Sequence, residues 1–379
     1  MDSTKGLTMR VMHVIDSGGL YGAEQVLLSL LSEQQTPAVS AQLVSVGSPG
    51  CGEKSIEVEA HRRGLPLTSI RMLPGFNPRG TLGLLRLARE MRADVIHSHG
   101  YKGNILLGMT PRRARQAALV TTLHGWTNTG GLTKIHAYEW LDARCLSRMD
   151  AVVLVSPAQQ QHRWIRRLAA GRSTLIPNGV APPGPAHELS PAIQQFCSEG
   201  MIIGSAGRLS EEKGFEHLLQ AAARLIRAGK PVRVVLAGDG PEREPLLALA
   251  AQLGIADRVM LPGYVAPIAA LLARLDVFVS SSLLEGMPLV VLEAMQLARP
   301  IVATAVGGTP YALDHGKAGL LVTAADATAL AEAIETLLDD SDLREQLGAR
   351  ARQRCAQEFS ARTMADRYAE LYRLVSRRP

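Results

Sequence analysis

Aromatic side chains are scarce in this chain, making up 4% of 379 residues. Proteins that hold single-stranded nucleic acid stack bases on such rings, so a base-stacking platform is excluded as a main function. No helix-turn-helix, RRM or zinc-finger pattern occurs, and nucleic acid is not an expected partner. Cysteine is equally sparse. Cys51, Cys145, Cys197 and Cys355 stand far apart and form no CxxC pair, which predicts reduced thiols in a cytosolic protein and no zinc site. Long apolar runs are missing too, so no transmembrane helix is expected. The early run Val11-Met12-His13-Val14-Ile15 is too short for a signal peptide and ends at Asp16; it reads as a buried strand after a loose leader of residues 1–8. No GxGxxG follows a strand and no GxxxxGK[ST] is present, which removes support from NAD binding and ATP hydrolysis. No Asp-x-Asp pair stands at a strand end, so a divalent cation clamped on a diphosphate is not indicated, and neither a metal nor another cofactor is expected.

Apolar residues are plentiful, at 46%, and the length exceeds one ordinary core, so two domains are predicted. Charge is uneven. Residues 1–190 carry 21 Lys/Arg against 13 Asp/Glu, or +8, and the remainder 20 against 22, or −2. The basic half holds two clusters, Arg112-Arg113-Ala114-Arg115 and Arg163-Trp164-Ile165-Arg166-Arg167. The second mixes Trp and Ile with arginines as a membrane-surface helix would, against the alternative of a solvated basic face. The expected location is the cytoplasm, with peripheral contact on the anionic inner face of the cytoplasmic membrane as the open variant.

Short apolar runs alternate with amphipathic helical patterns. Six strands are predicted in each half, from Arg10–Ile15 to Ser173–Ile176 and from Met201–Ala206 to Gly319–Val322. Such alternation means parallel sheets covered on both faces. The stretch from Pro177-Asn178-Gly179 to Pro191 includes Pro182-Pro183-Gly184-Pro185, which continues neither helix nor sheet. The expected division is an N-terminal domain over 1–185 and a second over 186–358. Ligands of doubly wound sheets bind at the carboxyl ends of the strands, and two such edges facing each other would enclose a cleft.

The most informative segment runs from Glu285 through Gly286-Met287-Pro288-Leu289-Val290 to Glu293. It follows the predicted strand Val277–Ser280. Pro288 suits the first position of a helix, whose uncapped amides and positive dipole end form an anion site. With a carboxylate before the helix and another within it, the segment suits a sugar nucleotide, phosphate at the amides and hydroxyls at the carboxylates. Arg208 and Lys213 lie in the loop after the strand Met201–Ala206 and would neutralise a diphosphate; the alternative is plain pairing with Glu211 and Glu212. Gly18 and Gly19 follow the first strand, where glycines let amides approach a phosphate. His124 closes a strand and reads either as a hydroxyl partner or as a structural histidine. His97-Ser98-His99 has metal-like spacing without supporting carboxylates or cysteines, and reads as a packed or hydrogen-bonded pair.

In their order along the chain these pieces resemble a family. They are Gly18-Gly19, the linker Ile176-Pro177-Asn178-Gly179-Val180, Gly207-Arg208-Leu209 with Lys213-Gly214, Gly238-Asp239-Gly240-Pro241, Glu285 to Glu293, and Val306-Gly307-Gly308. Together they look like a retaining glycosyltransferase of glycosyltransferase family 4, the group 1 glycosyltransferases. The resemblance implies a GT-B fold: α/β, with two doubly wound Rossmann-like domains facing each other across a cleft. It implies metal-independent transfer of a hexose from a nucleoside-diphosphate sugar, UDP-linked by preference, to a hydroxyl acceptor such as a lipid-linked saccharide in cell-surface polysaccharide synthesis. By the same resemblance Arg208 and Lys213 would hold the donor diphosphate, Glu293 the ribose, and Glu285 the transferred sugar. The amides from Met287 through Pro288 and Leu289 to Val290 would reach sugar and phosphate, Gly19 the distal phosphate, and Tyr264 and Val265 the base. His124 matches the family's sugar-site histidine, and the helix of a final segment, 359–379, would cross back to the first domain. Two details depart: Tyr311 stands where many relatives carry an acid, and Ala181 where an Asp is common. A sugar-nucleotide 2-epimerase of the same architecture and a non-catalytic sugar-nucleotide-binding protein are the alternatives.

Overall fold

The computed structural model describes residues 8–73, 75, 77–124, 134–168, 171–184 and 188–377. The leader up to Leu7 and the linker residue Pro185 lie outside the described residues. The chain divides into two compact units, residues 1–179 with 361–379, and residues 180–360. The expected cut after residue 185 thus moves to Gly179, and the helix Ala361–Ser376 belongs to the first unit.

The first unit is built on a seven-stranded parallel sheet: β1 (Met9–Ile15), β2 (Val39–Gly47), β3 (Leu67–Arg71), β4 (Val95–His99), β5 (Ala118–Leu123), β6 (Ala151–Leu154) and β7 (Ser173–Leu175). Its spatial order is β3-β2-β1-β4-β5-β6-β7. The second unit has six strands: β8 (Met201–Ala206), β9 (Val232–Ala237), β10 (Val259–Gly263), β11 (Val277–Ser280), β12 (Ile301–Thr304) and β13 (Leu320–Val322), ordered β10-β9-β8-β11-β12-β13. Central strands such as β8 and β11 are buried nearly throughout, because helices cover both faces, and they read as unbroken apolar runs for that reason. β3 is not legible in the sequence. Leu-Thr-Ser-Ile-Arg is a half-exposed edge strand and carries no apolar run.

Helices close the layers through one buried stripe. Over Phe215–Arg227 the buried positions Phe215, Leu218, Leu219, Ala222 and Leu225 follow the helical repeat and seat it on the core of the second sheet. Asp326 caps the helix Ala327–Asp339 by accepting from the amides of Thr328 and Ala329, which otherwise lack intrahelical partners.

Each strand order reverses direction once, between β1 and β4 in the first sheet and between β8 and β11 in the second. Loops leaving adjacent strands there run to opposite sides and leave a crevice.

The basic clusters are short elements, a four-residue helix at Arg112–Arg115 and no continuous helix around Trp164. Ile165–Arg167 is a single 3₁₀ turn, and Ile165 is buried in the first unit's core. The guanidinium carbons of Arg163 and Arg167 each lie 4.9 Å from the Trp164 ring centre. Arg115 is buried and donates to the carbonyls of Leu107 and Arg148. Tertiary packing thus absorbs Ile165 and Arg115, while Arg112, Arg113, Arg163, Arg166 and Arg167 stay exposed. No helix among the described residues is long and apolar enough to cross a membrane.

Candidate functional site

At the second unit's crevice the loops after β8 and β11 are tied together. Lys213 Nζ lies 2.6 Å from Glu285 Oε1, and Ser282 Oγ donates to the same oxygen over 2.7 Å. Main-chain bonds hold both loops: Leu283 N donates to Glu212 O (2.8 Å) and Ser281 Oγ to Lys213 O (3.1 Å). The alternative read from sequence, Lys213 paired with Glu211 or Glu212, is not the geometry found: its ion-pair partner is Glu285. The Glu285 side chain is only 9% exposed, so its charge depends on that lysine rather than on water. Arg208 stands exposed on the same loop. Burial opposes ionisation of Glu212, yet Ser210, its own main chain and the nearby Lys213 and Arg208 hold its carboxyl below the usual range.

Glycine permits the loop from β12 to come close. Gly307 has φ +55°, and a Cβ there would stand 1.9 Å from Glu285 O. Gly308 N donates to Gly286 O over 2.8 Å. The Val306-Gly307-Gly308 turn therefore clamps the main chain that carries Glu285.

The helix runs Leu289–Gln296, one residue later than expected. Pro288 is its N-cap with extended dihedrals (φ −73°, ψ 109°) rather than its first helical residue, and no side chain caps the start. The ladder begins with Leu292 N to Pro288 O, so the preceding amides of the first turn have no acceptor inside the helix. Met287 and Pro288 are buried, while Leu289 and Val290 are partly open. Glu293 lies on the following turn, and burial pushes its carboxyl up to about 7. Tyr264, exposed, and Val265, partly buried, follow β10 at the sheet's outer edge. The structure thus brings Lys213 and Glu285 into contact, sets Gly286 against the Gly307-Gly308 turn, and places Tyr264 and Val265 two strands from β8.

Gly18, Gly19 and His124 belong to the first unit, at its own crevice. Ser17 Oγ lies 2.6 Å from Gly19 O and 3.0 Å from Glu24 Oε1, and Glu24 accepts from Tyr21 N (3.1 Å). Gly18 and Gly19 are thus held in a turn that starts the helix Gly22–Glu33. Sequence reasoning missed the charges beside it. Lys54 Nζ reaches Asp16 Oδ1 (2.6 Å), Ser17 O (2.9 Å) and Val46 O (2.6 Å), and Lys102 Nζ lies 2.9 Å from Asp16 Oδ2. Burial resists ionisation of Asp16, but these two lysines keep its carboxyl below the usual range.

A cavity of about 190 Å³ opens here, lined among others by Asp16, Glu24, His99, Asn104, His124 and Asp142. Around it lie the buried His13, His97 and His99 and the partly buried His124, and sequence reasoning treated only His97, His99 and His124. His13 was visible only as a polar residue within an apolar strand. His13 Nδ1 lies 2.9 Å from His99 Nε2, and His99 Nδ1 lies 3.0 Å from His124 Nε2. His97 meets the Tyr372 hydroxyl (2.6 Å) and Thr122 Oγ1 (2.8 Å), and Thr122 in turn meets the Tyr368 hydroxyl (2.7 Å). Burial lowers His13 and His124 to about 4. It also drives His97 and His99 well below the usual range, helped by their histidine neighbours. His13, His97 and His99 lie close enough to share a metal, but every ring nitrogen of the three already has a hydrogen-bond partner.

A larger concavity, about 740 Å³, lies at the opposite strand edge of the second unit, around Asp276, Arg299, Pro300 and Arg344. Two of its guanidiniums are engaged with main-chain carbonyls, Arg299 with those of Ala273 and Leu275 and Arg344 with that of Leu338.

Residues 188–354 match the sequence profile described as glycosyl transferases group 1, and residues 21–182 that of glycosyltransferase family 4. The chain is 30% identical to alpha-maltose-1-phosphate synthase of Mycolicibacterium smegmatis over 318 residues, covering 75% of this chain and 80% of that enzyme. It is 36% identical to the lipopolysaccharide core biosynthesis glycosyltransferase LpsE of Rhizobium meliloti over 174 residues. That match takes in 46% of this chain and about half (50%) of the relative's length. The crystal structure of HepE from Anabaena, in complex with UDP, superposes with a TM-score of 0.81 at 23% identity, covering 97% of this chain and 100% of that one; this likeness shows a shared GT-B fold.

Proposed function

Starting from a chain that belongs to the group 1 glycosyltransferases of family 4, we propose that it transfers a hexose from UDP-sugar to a hydroxyl acceptor with retention of configuration. The observation that carries this reading is the Lys213–Glu285–Ser282 cluster at the crevice between β8 and β11, beside a helix start that no side chain caps. A nucleoside diphosphate fits that edge. The first-turn amides of Leu289–Gln296 and the helix dipole receive a phosphate, and Arg208 adds a bidentate cation. Glu293 takes the ribose hydroxyls. Tyr264 and Val265 flank the base.

Charge builds on the diphosphate as the glycosidic bond lengthens and the sugar carbon becomes cationic. Arg208, Lys213 and the helix amides stabilise that charge without rearranging, which is where fixed dipoles gain most. They carry the load that a divalent cation bears in other transferases, and the reading therefore includes no metal or other cofactor. Glu285, neutralised by Lys213 and fixed by Ser282, is suited to accept hydrogen bonds from the sugar rather than to attack it. The departing phosphate takes the acceptor proton as the new bond forms on the same face. In the first unit, His124 is suited to a sugar hydroxyl, and Gly18 and Gly19 have amides suited to a phosphate.

UDP as the nucleotide is supported by the HepE complex, and a saccharide acceptor, lipid-linked in cell-surface polysaccharide assembly, by the activity named for LpsE. The test is a thermal-shift screen of UDP-, GDP- and ADP-sugars, followed by transfer assays on saccharide acceptors with Arg208→Ala/Lys213→Ala as control. A selective rise in melting temperature with UDP-sugars is expected, since ligand binding to the native state stabilises it. Transfer should be abolished in a double variant that remains folded; near-normal transfer by that variant would overturn the mechanism.

A further inference from the structure

The helix Pro78–Glu90 turns one stripe inward and leaves the other uncovered. Leu84, Leu85 and Ala88 are buried in the first unit's core. On the opposite side Arg79, Leu82, Arg86 and Arg89 recur at spacings of three, four and three, which places them on one face, and all four are exposed. Leu82 keeps 62% of its surface open to solvent among these arginines. Leu73, 67% exposed, stands at the start of the same helix: Asn77 Nδ2 donates to Leu73 O over 2.9 Å, and Asn77 Oδ1 caps the helix by accepting from Gly80 N over 2.8 Å. At the other end Arg89 Nη2 donates to Ala114 O over 2.9 Å. The short helix Arg112–Arg115 thereby sets the exposed Arg113 beside the face. Glu90 is the helix's one carboxylate.

Protruding leucines mixed with arginines tell the occupants apart. A second copy of this face would set arginines against arginines, which like charge disfavours. Nucleic acid would take the arginines on its phosphates and leave the leucines in water. A bilayer with anionic head groups supplies phosphates to the arginines and, a few ångströms deeper, an acyl boundary for the leucines. We propose that this face docks the first unit on an anionic lipid surface, Leu73 and Leu82 entering the head-group region while Arg79, Arg86, Arg89 and Arg113 meet lipid phosphates. Leu73 follows β3 at the sheet's carboxyl edge, the edge on which the 190 Å³ cavity opens. On the glycosyltransferase reading above, an acceptor carried by lipid would be met at that edge; the docking itself does not depend on that reading.

The test is co-sedimentation of the whole chain with phosphatidylcholine vesicles, with and without phosphatidylglycerol. Wild type should bind the anionic vesicles alone and be released by salt. An arginine at an anionic surface adds about fivefold in partitioning, so Arg79→Gln/Arg86→Gln should weaken binding about 25-fold. Leu73→Ser/Leu82→Ser keeps every charge and should weaken it about tenfold through lost apolar burial. Arg224→Gln/Arg227→Gln removes the same charge from an exposed helix end of the second unit. Screening at that distance should hold its effect below about twofold. The substituted side chains are exposed, and melting temperatures close to wild type confirm that the variants fold. Equal losses in the two arginine pairs would mean that net charge alone drives binding and would overturn the proposal, as would full binding by the leucine pair. A wild type that binds neither vesicle also overturns it and points to an acidic protein as the occupant. Vesicle binding as stated, by a protein that turns over no sugar nucleotide, sinks the functional reading and leaves the docking face standing.

Discussion

Glu293→Gln isolates the cost of burying a carboxyl in the helix Leu289–Gln296. Burial raises the Glu293 carboxyl from 4.5 to about 7 in the folded protein. The fold therefore binds this proton more tightly than the unfolded chain does, and stability is complete below pH 4.5 and lost as pH rises through about 7. Integrated between pH 5 and pH 8, the linkage is worth about 2.5 kcal/mol against the folded state. Glutamine has nearly the same shape and no charge. Its stabilising effect, relative to wild type, should be about 2.5 kcal/mol larger at pH 8 than at pH 5, or roughly 5–10 °C in melting temperature for a unit of this size. Every other titrating group is common to both proteins, so the difference of differences reports this carboxyl. The assay is differential scanning fluorimetry of both proteins at both pH values. UDP titrations accompany it: a ribose diol donates to an ionised carboxylate, so wild-type affinity should rise as pH passes 7 and the variant's should stay flat. Equal melting-temperature differences at pH 5 and pH 8 would refute the reasoning.

Ser282→Ala deletes one of the two groups on Glu285 Oε1 and should lower kcat/KM for transfer about tenfold with little change in melting temperature; an unchanged rate would show that Lys213 alone positions the carboxylate. Gly307→Ala puts a methyl against Glu285 O at a positive φ. About 2 kcal/mol or more of stability should be lost, measured by urea unfolding, together with most of the activity. Lys54→Met leaves the carbonyls of Ser17 and Val46 without their ammonium partner and should cost about 1–3 kcal/mol. That loss is read as faster hydrogen exchange at the Ser17–Gly19 turn; unchanged exchange there would show that Glu24 and Ser17 suffice to hold it.

Much of the fold is local enough to be read along the chain. Strands β8, β9 and β11 have the residues expected of them, since each is an unbroken apolar run between polar turns. The chain order of the glycine, basic and acidic motifs pointed to the family without any contact being known. The short edge strand β3 escaped because it has no such run, and Ile165 misled because a buried isoleucine and a membrane-facing one look alike between arginines. Pro288 slipped by one position because a cap and a first helical residue differ only in dihedral angle.

Sequence by itself determined two parallel sheets, the loops that carry Arg208, Lys213 and Glu285, and a helix start fit for an anion, because periodicity and turn chemistry act over a few residues. Tertiary structure decided the partners. Lys213 could have paired with either adjacent glutamate, and only the placing of β8 beside β11 brought it to Glu285, 72 residues away. His13 meets His99 across 86 residues because β1 lies next to β4 in one register. Hydrogen bonds and ion pairs act over a few ångströms, and strand pairing sets which distant side chains come within that reach.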